Sequence, residues 1–127
     1  MAVDPGVIGL GLDAVEVDRF RRVLQRTPGV ARRLFTDTER AYGARASDPT
    51  QRLAARFAAK EATMKALGVG LGSFRFRDVE VVKAPSGAPS LRLTGRAAQL
   101  AEELGVTSWR VSLSHTDLMA EAVVVCE

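Results

Sequence analysis

The sequence is poor in cysteine and in long apolar runs, and each shortage excludes a class of protein. Cys126 is the one cysteine in 127 residues, so an internal disulfide or a metal cluster cannot form, which suits a reducing cytoplasm. No apolar run approaches the roughly 20 residues that a membrane-spanning helix needs. The opening residues 1–6 lack the basic flank of a signal peptide. We therefore expect a cytoplasmic protein without membrane contact.

Long linkers, internal repeats and low-complexity segments are also missing, which indicates one folded unit. Hydrophobic residues make up 46% of the chain and charged residues 26%, a balance typical of globular proteins. A chain of this length can bury a hydrophobic core without disulfides. We predict a single domain over residues 1–127.

Arginine is abundant in the first third of the chain, although the formal net charge is only +3. Aromatic residues are sparse there and no DNA-binding or RNA-binding motif occurs, which argues against nucleic acid as the partner. Guanidinium groups bind carboxylates and phosphates through paired hydrogen bonds. An acidic protein or a small polyphosphate ligand fits at least as well, while solvated helix faces would explain about half of these arginines.

Apolar spacing divides the first half of the chain into one strand and three helices. We predict a strand over 7–12 and a helix over 14–26 that carries Arg19, Arg22 and Arg26 on its outer side. Thr36 and Glu39 have capping-box spacing and predict a helix through about residue 46. The third helix runs over about 51–67, and a glycine-rich loop follows it.

The second half is richer in strands. We predict a hairpin of strands 79–82 and 90–93, a helix over 95–104, and a closing antiparallel pair over 109–114 and 120–126. The fold class is therefore α+β, with a mainly antiparallel sheet and helices packed on one side.

The helix over 51–67 carries the most informative pattern. Its core stripe is Leu53, Phe57, Met64 and Leu67, and beside it lies an arc of Ala54, Ala58, Glu61, Ala62 and Lys65. We interpret the alanines as clearance for a ligand that approaches the helix backbone, and we place Lys60 on the core side. The alternative is an ordinary Glu61–Lys65 pair, stabilising the helix by about 0.2–0.5 kcal/mol.

Two further polar positions follow strands. Asp13 fits either a helix cap with Glu16 or a Mg²⁺ ligand, since that ion prefers carboxylate and phosphate oxygens. His115 is the only histidine and ends a strand among hydroxyl groups; it is either structural or a proton carrier near neutral pH. The glycines Gly68, Gly70 and Gly72 lack phosphate-loop spacing and fit a plain loop.

Three motifs together are specific: Gly11-Leu12-Asp13, Phe-Ala-Ala-Lys-Glu-Ala-Thr-Met-Lys-Ala over 57–66, and Ser112-Leu113-Ser114-His115. In this order they closely resemble the holo-[acyl-carrier-protein] synthases, the small bacterial class of 4′-phosphopantetheinyl transferases, over essentially the whole chain. The resemblance implies the 4′-phosphopantetheinyl transferase fold. It also implies Mg²⁺-dependent transfer of 4′-phosphopantetheine from coenzyme A to a serine of apo acyl carrier protein, with release of adenosine 3′,5′-bisphosphate.

The resemblance also implies roles for individual residues. The residues with catalytic roles are Asp13, Glu61, Lys65 and His115, of which Asp13 and Glu61 would bind Mg²⁺. The residues that would bind coenzyme A are Arg56, Lys65, Gly68, Ser114 and His115. The residues that would dock the acidic carrier protein are Arg19, Arg22 and Arg26. The serine proton could pass to a metal-bound water, Glu61 or His115, and Asp117 is near enough in sequence to orient His115. The resemblance further implies that the chain forms a homotrimer with active sites between subunits.

Other functions remain as alternatives at this point: a non-catalytic basic binding module, or another Mg²⁺-dependent nucleotide enzyme. The resemblance places the enzyme in fatty-acid biosynthesis and lipid metabolism. The residues do not distinguish a fatty-acid from a polyketide acceptor, and they do not define the tolerance for acylated coenzyme A.

Overall fold

A computed structural model describes residues 6–127, so residues 1–5, part of the segment inspected for a signal peptide, lie outside the described chain. The elements, in order, are β1 (Gly9–Glu16), α1 (Val17–Arg26), α2 (Val30–Leu34), α3 (Asp37–Ala44), α4 (Thr50–Ala66), a 3-10 turn (Phe76–Asp78), β2 (Val79–Lys83), β3 (Pro89–Leu93), α5 (Gly95–Glu103), β4 (Trp109–His115) and β5 (Met119–Cys126). No helix within residues 6–127 is long and apolar enough to span a membrane.

The strands form two antiparallel sheets. One has the order β1-β5-β4, and the other is the β2-β3 hairpin. The predicted α+β class is confirmed, with the strands divided between two sheets. The hairpin, α5 and the β4-β5 pair all lie within a few residues of their predicted bounds because each is set by short-range alternation and turn residues.

Helix α4 lies against the three-stranded sheet, and its alanine face makes the contact. Ala54, Ala58 and Ala62 are fully buried, and a Cβ atom on Gly11 of β1 would lie 1.8 Å from the Ala62 carbonyl oxygen. The small residues therefore let a strand and a helix approach backbone to backbone. Our interpretation of these alanines as ligand clearance is wrong, because β1 already occupies that space.

The boundary between β1 and α1 also differs from the prediction. β1 continues through Asp13 to Glu16, and Asp13 is paired with Ala122 of β5, so the alternative of Asp13 as a helix cap is wrong. Pairing with β5 along the whole of β1 outweighs the local capping pattern. The structure also contains the short helix α2, which the sequence analysis does not predict. Its five residues are too few to show a helical period of apolar residues.

Helix α3 begins as predicted. The Thr36 side chain accepts a hydrogen bond from the Glu39 backbone, and the Glu39 side chain accepts one from the Thr36 backbone. This capping box satisfies two of the free N–H groups at the helix start. It also fixes Glu39 at the point where α3 meets α4.

Candidate active site

A carboxylate pair and a lysine meet at the edge of the sheet. Lys65 of α4 donates hydrogen bonds to the Asp13 carboxylate at 3.1 Å and to the Leu12 carbonyl at 2.9 Å. The pKa of Glu61, one turn before Lys65, is raised above its ordinary value by burial and then by the charge of Asp13, against the opposing effect of Lys65. The structure thus brings together three of the predicted site residues from two distant segments.

The donor set of this cluster fits Mg²⁺ in the presence of a phosphate. Carboxylates held near each other repel, so a cation between them is electrostatically favourable. Within residues 6–127 no group of three or more histidine, cysteine or acidic side chains could hold a metal. Asp13 and Glu61 would therefore supply only part of a coordination shell, which is how Mg²⁺ is usually bound: one or two carboxylates, with substrate phosphate and water completing the shell.

A second feature places the basic helix beside this cluster. Arg19 and Glu61 line one cavity of about 330 Å³ between β1, α1 and α4, with Phe20 and Phe57 among its apolar walls. Arg19, Arg22 and Arg26 are all exposed. Asp18, which interrupts their surface, is paired with Arg21 at 2.5 Å. The helix face with Arg19, Arg22 and Arg26 therefore keeps its positive charge beside the carboxylates of Asp13 and Glu61.

A larger cavity of about 500 Å³ lies on the other side of α4. It is lined by the predicted residues Arg56 and His115, together with Tyr42, Arg52 and Lys83. The last three carried no role in the sequence analysis. Helical spacing could have found Arg52, which lies one turn before Arg56, but no local pattern links Tyr42 or Lys83 to this place.

Arg56 is unusual among the arginines because it is only 6% exposed. Burial, which disfavours the charged form, lowers its pKa. In the described chain its Nε atom has no hydrogen-bond partner, and one terminal nitrogen reaches the Arg52 carbonyl at 3.4 Å. A buried donor without a partner is costly in a folded protein.

The remaining predicted residues take different positions. His115 is exposed and lines the cavity, whereas the Asp117 carboxylate accepts a hydrogen bond from Gln51 at 3.1 Å, and no hydrogen bond joins the two in residues 6–127. Ser114 lies on the opposite face of β4 from His115. Gly68 is exposed just after α4 with φ of 70°, where an L side chain would be strained, and its N–H is bonded to the Lys65 carbonyl.

Helix α4 separates the carboxylate cluster from the basic cavity within one chain. Arg52 and Arg56 precede Glu61 by nine and five residues, which at about 100° per residue turns them to the far side of the helix. The strands show the same separation, because Asp13 on β1 and Leu113 on β4 lie on either side of Ala122 in β5. Within one chain, the carboxylate cluster and the basic cavity therefore lie on opposite sides of α4.

Comparison with known proteins identifies the family. A model of the 4′-phosphopantetheinyl transferase superfamily matches residues 9–123. The chain belongs to that superfamily. This transferase is 50% identical over 121 residues to the holo-[acyl-carrier-protein] synthase of Frankia casuarinae, covering 95% of the chain and 98% of the relative. It is 52% identical to that of Streptomyces avermitilis, with the same coverage.

Solved structures agree with the fold of this transferase. The holo-[acyl-carrier-protein] synthase of Neisseria meningitidis superposes with a TM-score of 0.87 at 31% identity, over 96% of this chain and 99% of that one. The Helicobacter pylori synthase, solved in complex with coenzyme A, superposes with a TM-score of 0.82 at 30% identity, over 93% of this chain and 99% of that one.

Proposed function

We propose that this transferase is a holo-[acyl-carrier-protein] synthase that uses Mg²⁺ to move 4′-phosphopantetheine from coenzyme A to a serine of apo acyl carrier protein. The observation that carries the proposal is the cluster of Asp13, Glu61 and Lys65. Two carboxylates and an ammonium group at one place suit a magnesium-bound pyrophosphate. The coenzyme A complex of the Helicobacter pylori relative supports the choice of donor.

In the reaction, the serine oxygen forms a bond to the phosphorus that carries pantetheine. The pyrophosphate P–O bond breaks, and adenosine 3′,5′-bisphosphate leaves. Asp13 and Glu61 would hold the Mg²⁺, which neutralises phosphate charge when bound. Lys65, now bonded to Asp13 at 3.1 Å, would donate to a phosphate oxygen as charge develops on the leaving group.

The serine proton needs an acceptor among this chain's groups. Glu61 and His115 are the side-chain candidates: Glu61 lies in the carboxylate cluster with Asp13, and His115 is exposed at the rim of the basic cavity. Arg56 and His115 would bind the phosphates of the nucleotide half of coenzyme A. The proposed roles of Gly68 and Ser114 are contacts to the same substrate.

We also propose a homotrimer whose active sites lie between subunits. The outer sheet face supports this, since Leu10 and Leu12 are 62% and 63% exposed and stand in register with Val125 and Val123. An apolar patch of this kind is costly in water and suits a second copy of the chain. Assembly would bring the carboxylate cluster of one subunit to the basic cavity of its neighbour, which α4 prevents within one chain.

The proposed partner is an acidic carrier protein on the face of Arg19, Arg22 and Arg26, beside the cavity that Glu61 lines. Complementary charge would speed the encounter and set the orientation of the acceptor serine. We place the enzyme in the cytoplasm, in fatty-acid biosynthesis, with residues 1–127 as one transferase domain. The free and buried Cys126 thiol is consistent with a reducing compartment.

The test is a mass measurement. The protein is mixed with coenzyme A, Mg²⁺ and several apo carrier proteins, and each carrier is weighed for the phosphopantetheine adduct. We expect the adduct only when Mg²⁺ is present. Absence of the adduct on every carrier would reject the proposal; consumption of nucleotide without a carrier would indicate a different nucleotide enzyme, and salt-sensitive nucleic-acid binding without Mg²⁺ a binding module.

A further inference from the structure

Tyr42 lies at the centre of a group of cations in the basic cavity. The guanidinium carbons of Arg52 and Arg56 lie 4.3 Å and 4.1 Å from the centroid of its ring. The Lys83 Nζ atom lies 5.1 Å from the same centroid and 3.5 Å from the phenol oxygen. One aromatic side chain of α3 therefore contacts cations from α4 and from the end of β2.

The contacts of Tyr42 constrain both arginines. Arg52 donates a hydrogen bond to the Tyr42 backbone carbonyl at 2.9 Å as well as lying over the ring. Arg56 and Arg52 are one helical turn apart, where two positive charges ordinarily repel. The negative face of the ring offsets that repulsion and holds the guanidinium groups in place.

The positive charge of Arg52, Arg56 and Lys83 around Tyr42 suits a phosphomonoester. Among the described residues that line the cavity, the one carboxylate is Asp48, and it already accepts hydrogen bonds from Arg21 and Thr50. Three cations without a carboxylate partner in the cavity match a group that carries between one and a half and two negative charges near neutral pH. In the proposed assembly, the pyrophosphate bridge would instead meet the carboxylate cluster of a neighbouring subunit.

We propose that Tyr42 is a positioning residue for coenzyme A, whose ring holds Arg52 and Arg56 in the orientation that binds the ribose 3′-phosphate. This inference rests on the proposed function, which supplies coenzyme A as the donor. Tyr42 acts through the two guanidinium groups. The position of Arg56 supports it, because this guanidinium group lines the cavity and lies 4.1 Å from the centroid of the Tyr42 ring.

The experiment compares coenzyme A with dephospho-coenzyme A, which lacks only the 3′-phosphate. For Tyr42→Ala we expect the KM for coenzyme A to rise about tenfold, because two cation–π contacts of moderate strength are lost. The KM for dephospho-coenzyme A and both kcat values should stay within about twofold of the wild type. Tyr42→Phe keeps the ring and should retain a KM for coenzyme A close to that of the wild type.

Two results would overturn the inference. One is an equal rise in KM for both donors, which would indicate a general loss of structure; the other is a Phe variant as impaired as the Ala variant, since the ring would then not be the cause. Tyr42→Leu, which fills more of the space, replaces the Ala variant if thermal unfolding shows that Tyr42→Ala does not fold.

A binding measurement separates this inference from the proposed function. Calorimetry with adenosine 3′,5′-bisphosphate and adenosine 5′-monophosphate needs no transfer activity. We expect the wild type to prefer the bisphosphate and Tyr42→Ala to lose most of that preference. An unchanged preference in the variant would refute the role of Tyr42, whereas a wild type that binds but never transfers would refute the proposed reaction alone.

Discussion

The Nζ atom of Lys60 lies 2.7 Å from Glu39 Oε1, and neither side chain is exposed to solvent. Lys60 also donates to the carbonyl oxygens of Val79 at 2.5 Å and Phe76 at 3.0 Å, while Glu39 accepts a hydrogen bond from the Val81 backbone. The pair therefore ties α3, α4 and β2 together. Burial lowers the pKa of Lys60, and the charge of Glu39 opposes that effect.

The first prediction concerns this buried pair. Lys60→Met should lower the free energy of unfolding by about 3–5 kcal/mol, because Glu39 is left as a buried and unpaired carboxylate. Chemical denaturation measures the loss. The double variant Lys60→Met/Glu39→Gln removes both charges and should lose much less than the sum of the two single variants. Simple additivity would contradict the pairing.

The second prediction concerns the approach of β1 to α4. Gly11→Ala should destabilise the protein by about 2 kcal/mol or more, because the new Cβ would lie 1.8 Å from the Ala62 carbonyl and the strand must move. Gly70→Ala is the matched control, since nothing lies within 4 Å of its added Cβ. The unfolding temperatures of both variants, compared with that of the wild type, test this prediction. Equal unfolding temperatures would show that the strand is not held closely against the helix.

The third prediction concerns acid stability. Hydrogen bonds from Thr50 and the ion pair with Arg21 lower the pKa of Asp48 from 3.8 to about 2. Because the pKa of Asp48 is lower in the folded protein than in the unfolded chain, the ionised carboxylate stabilises the folded state at pH values above the unfolded-state pKa. This stabilisation is lost as the pH falls through about 2. The difference in free energy of unfolding between wild type and Asp48→Asn should therefore be constant near neutral pH. It should shrink as the pH falls from about 4 to about 2.

Urea denaturation at several pH values measures that difference. Thr50→Val removes one of the hydrogen bonds to Asp48 and should make the dependence on pH shallower. A difference that persists undiminished at pH 2 would mean that the ionised carboxylate is not what stabilises the start of α4.

The fourth prediction separates the two substrates. Arg19→Glu should raise the KM for the carrier protein by roughly tenfold or more, since a like charge now faces an acidic partner. Coenzyme A binding should change little, because Arg19 is not among the residues of the basic cavity. Arg96→Glu on α5 is the control for an exposed arginine elsewhere. Equal losses for both substrates would refute the assignment of Arg19 to the carrier.

The fifth prediction concerns the carboxylate cluster. Asp13→Asn and Glu61→Gln should each lower transfer by about 100-fold or more, because a metal supplies several kcal/mol of charge stabilisation. Glu61→Gln should not destabilise the protein in Mg²⁺-free buffer at neutral pH. A raised folded-state pKa means that the charged form of Glu61 fits the fold less well than the neutral form.

Transfer assays and thermal unfolding of the same samples measure both effects. Glu102→Gln, an exposed change on α5, is the control for loss of a carboxylate. Full activity in Asp13→Asn or Glu61→Gln would remove that residue from the metal site. A Glu61→Gln variant that unfolds well below the wild type would contradict the sign of the pKa shift.

Local residue patterns were enough to place most of the elements and the family motifs. The capping box of Thr36 and Glu39, the β2-β3 hairpin and the length of α4 depend on neighbours within a few residues, so the sequence alone predicted them. The same is true of the spacing of Glu61 and Lys65 on one side of α4. Lys60 was placed on the core side by helical period, and its burial confirms this.

Contacts between distant segments decided the rest. β1 reaches Glu16 only because β5, more than a hundred residues later, pairs with it, and the alanines of α4 are covered by that strand. The partner of Lys60 lies 21 residues away and the cations around Tyr42 come from separate elements. Burial and like-charge repulsion depend on three-dimensional neighbours, which a periodic pattern in one segment does not record. The tertiary structure therefore decided that α4 lies between the carboxylate cluster and the basic cavity.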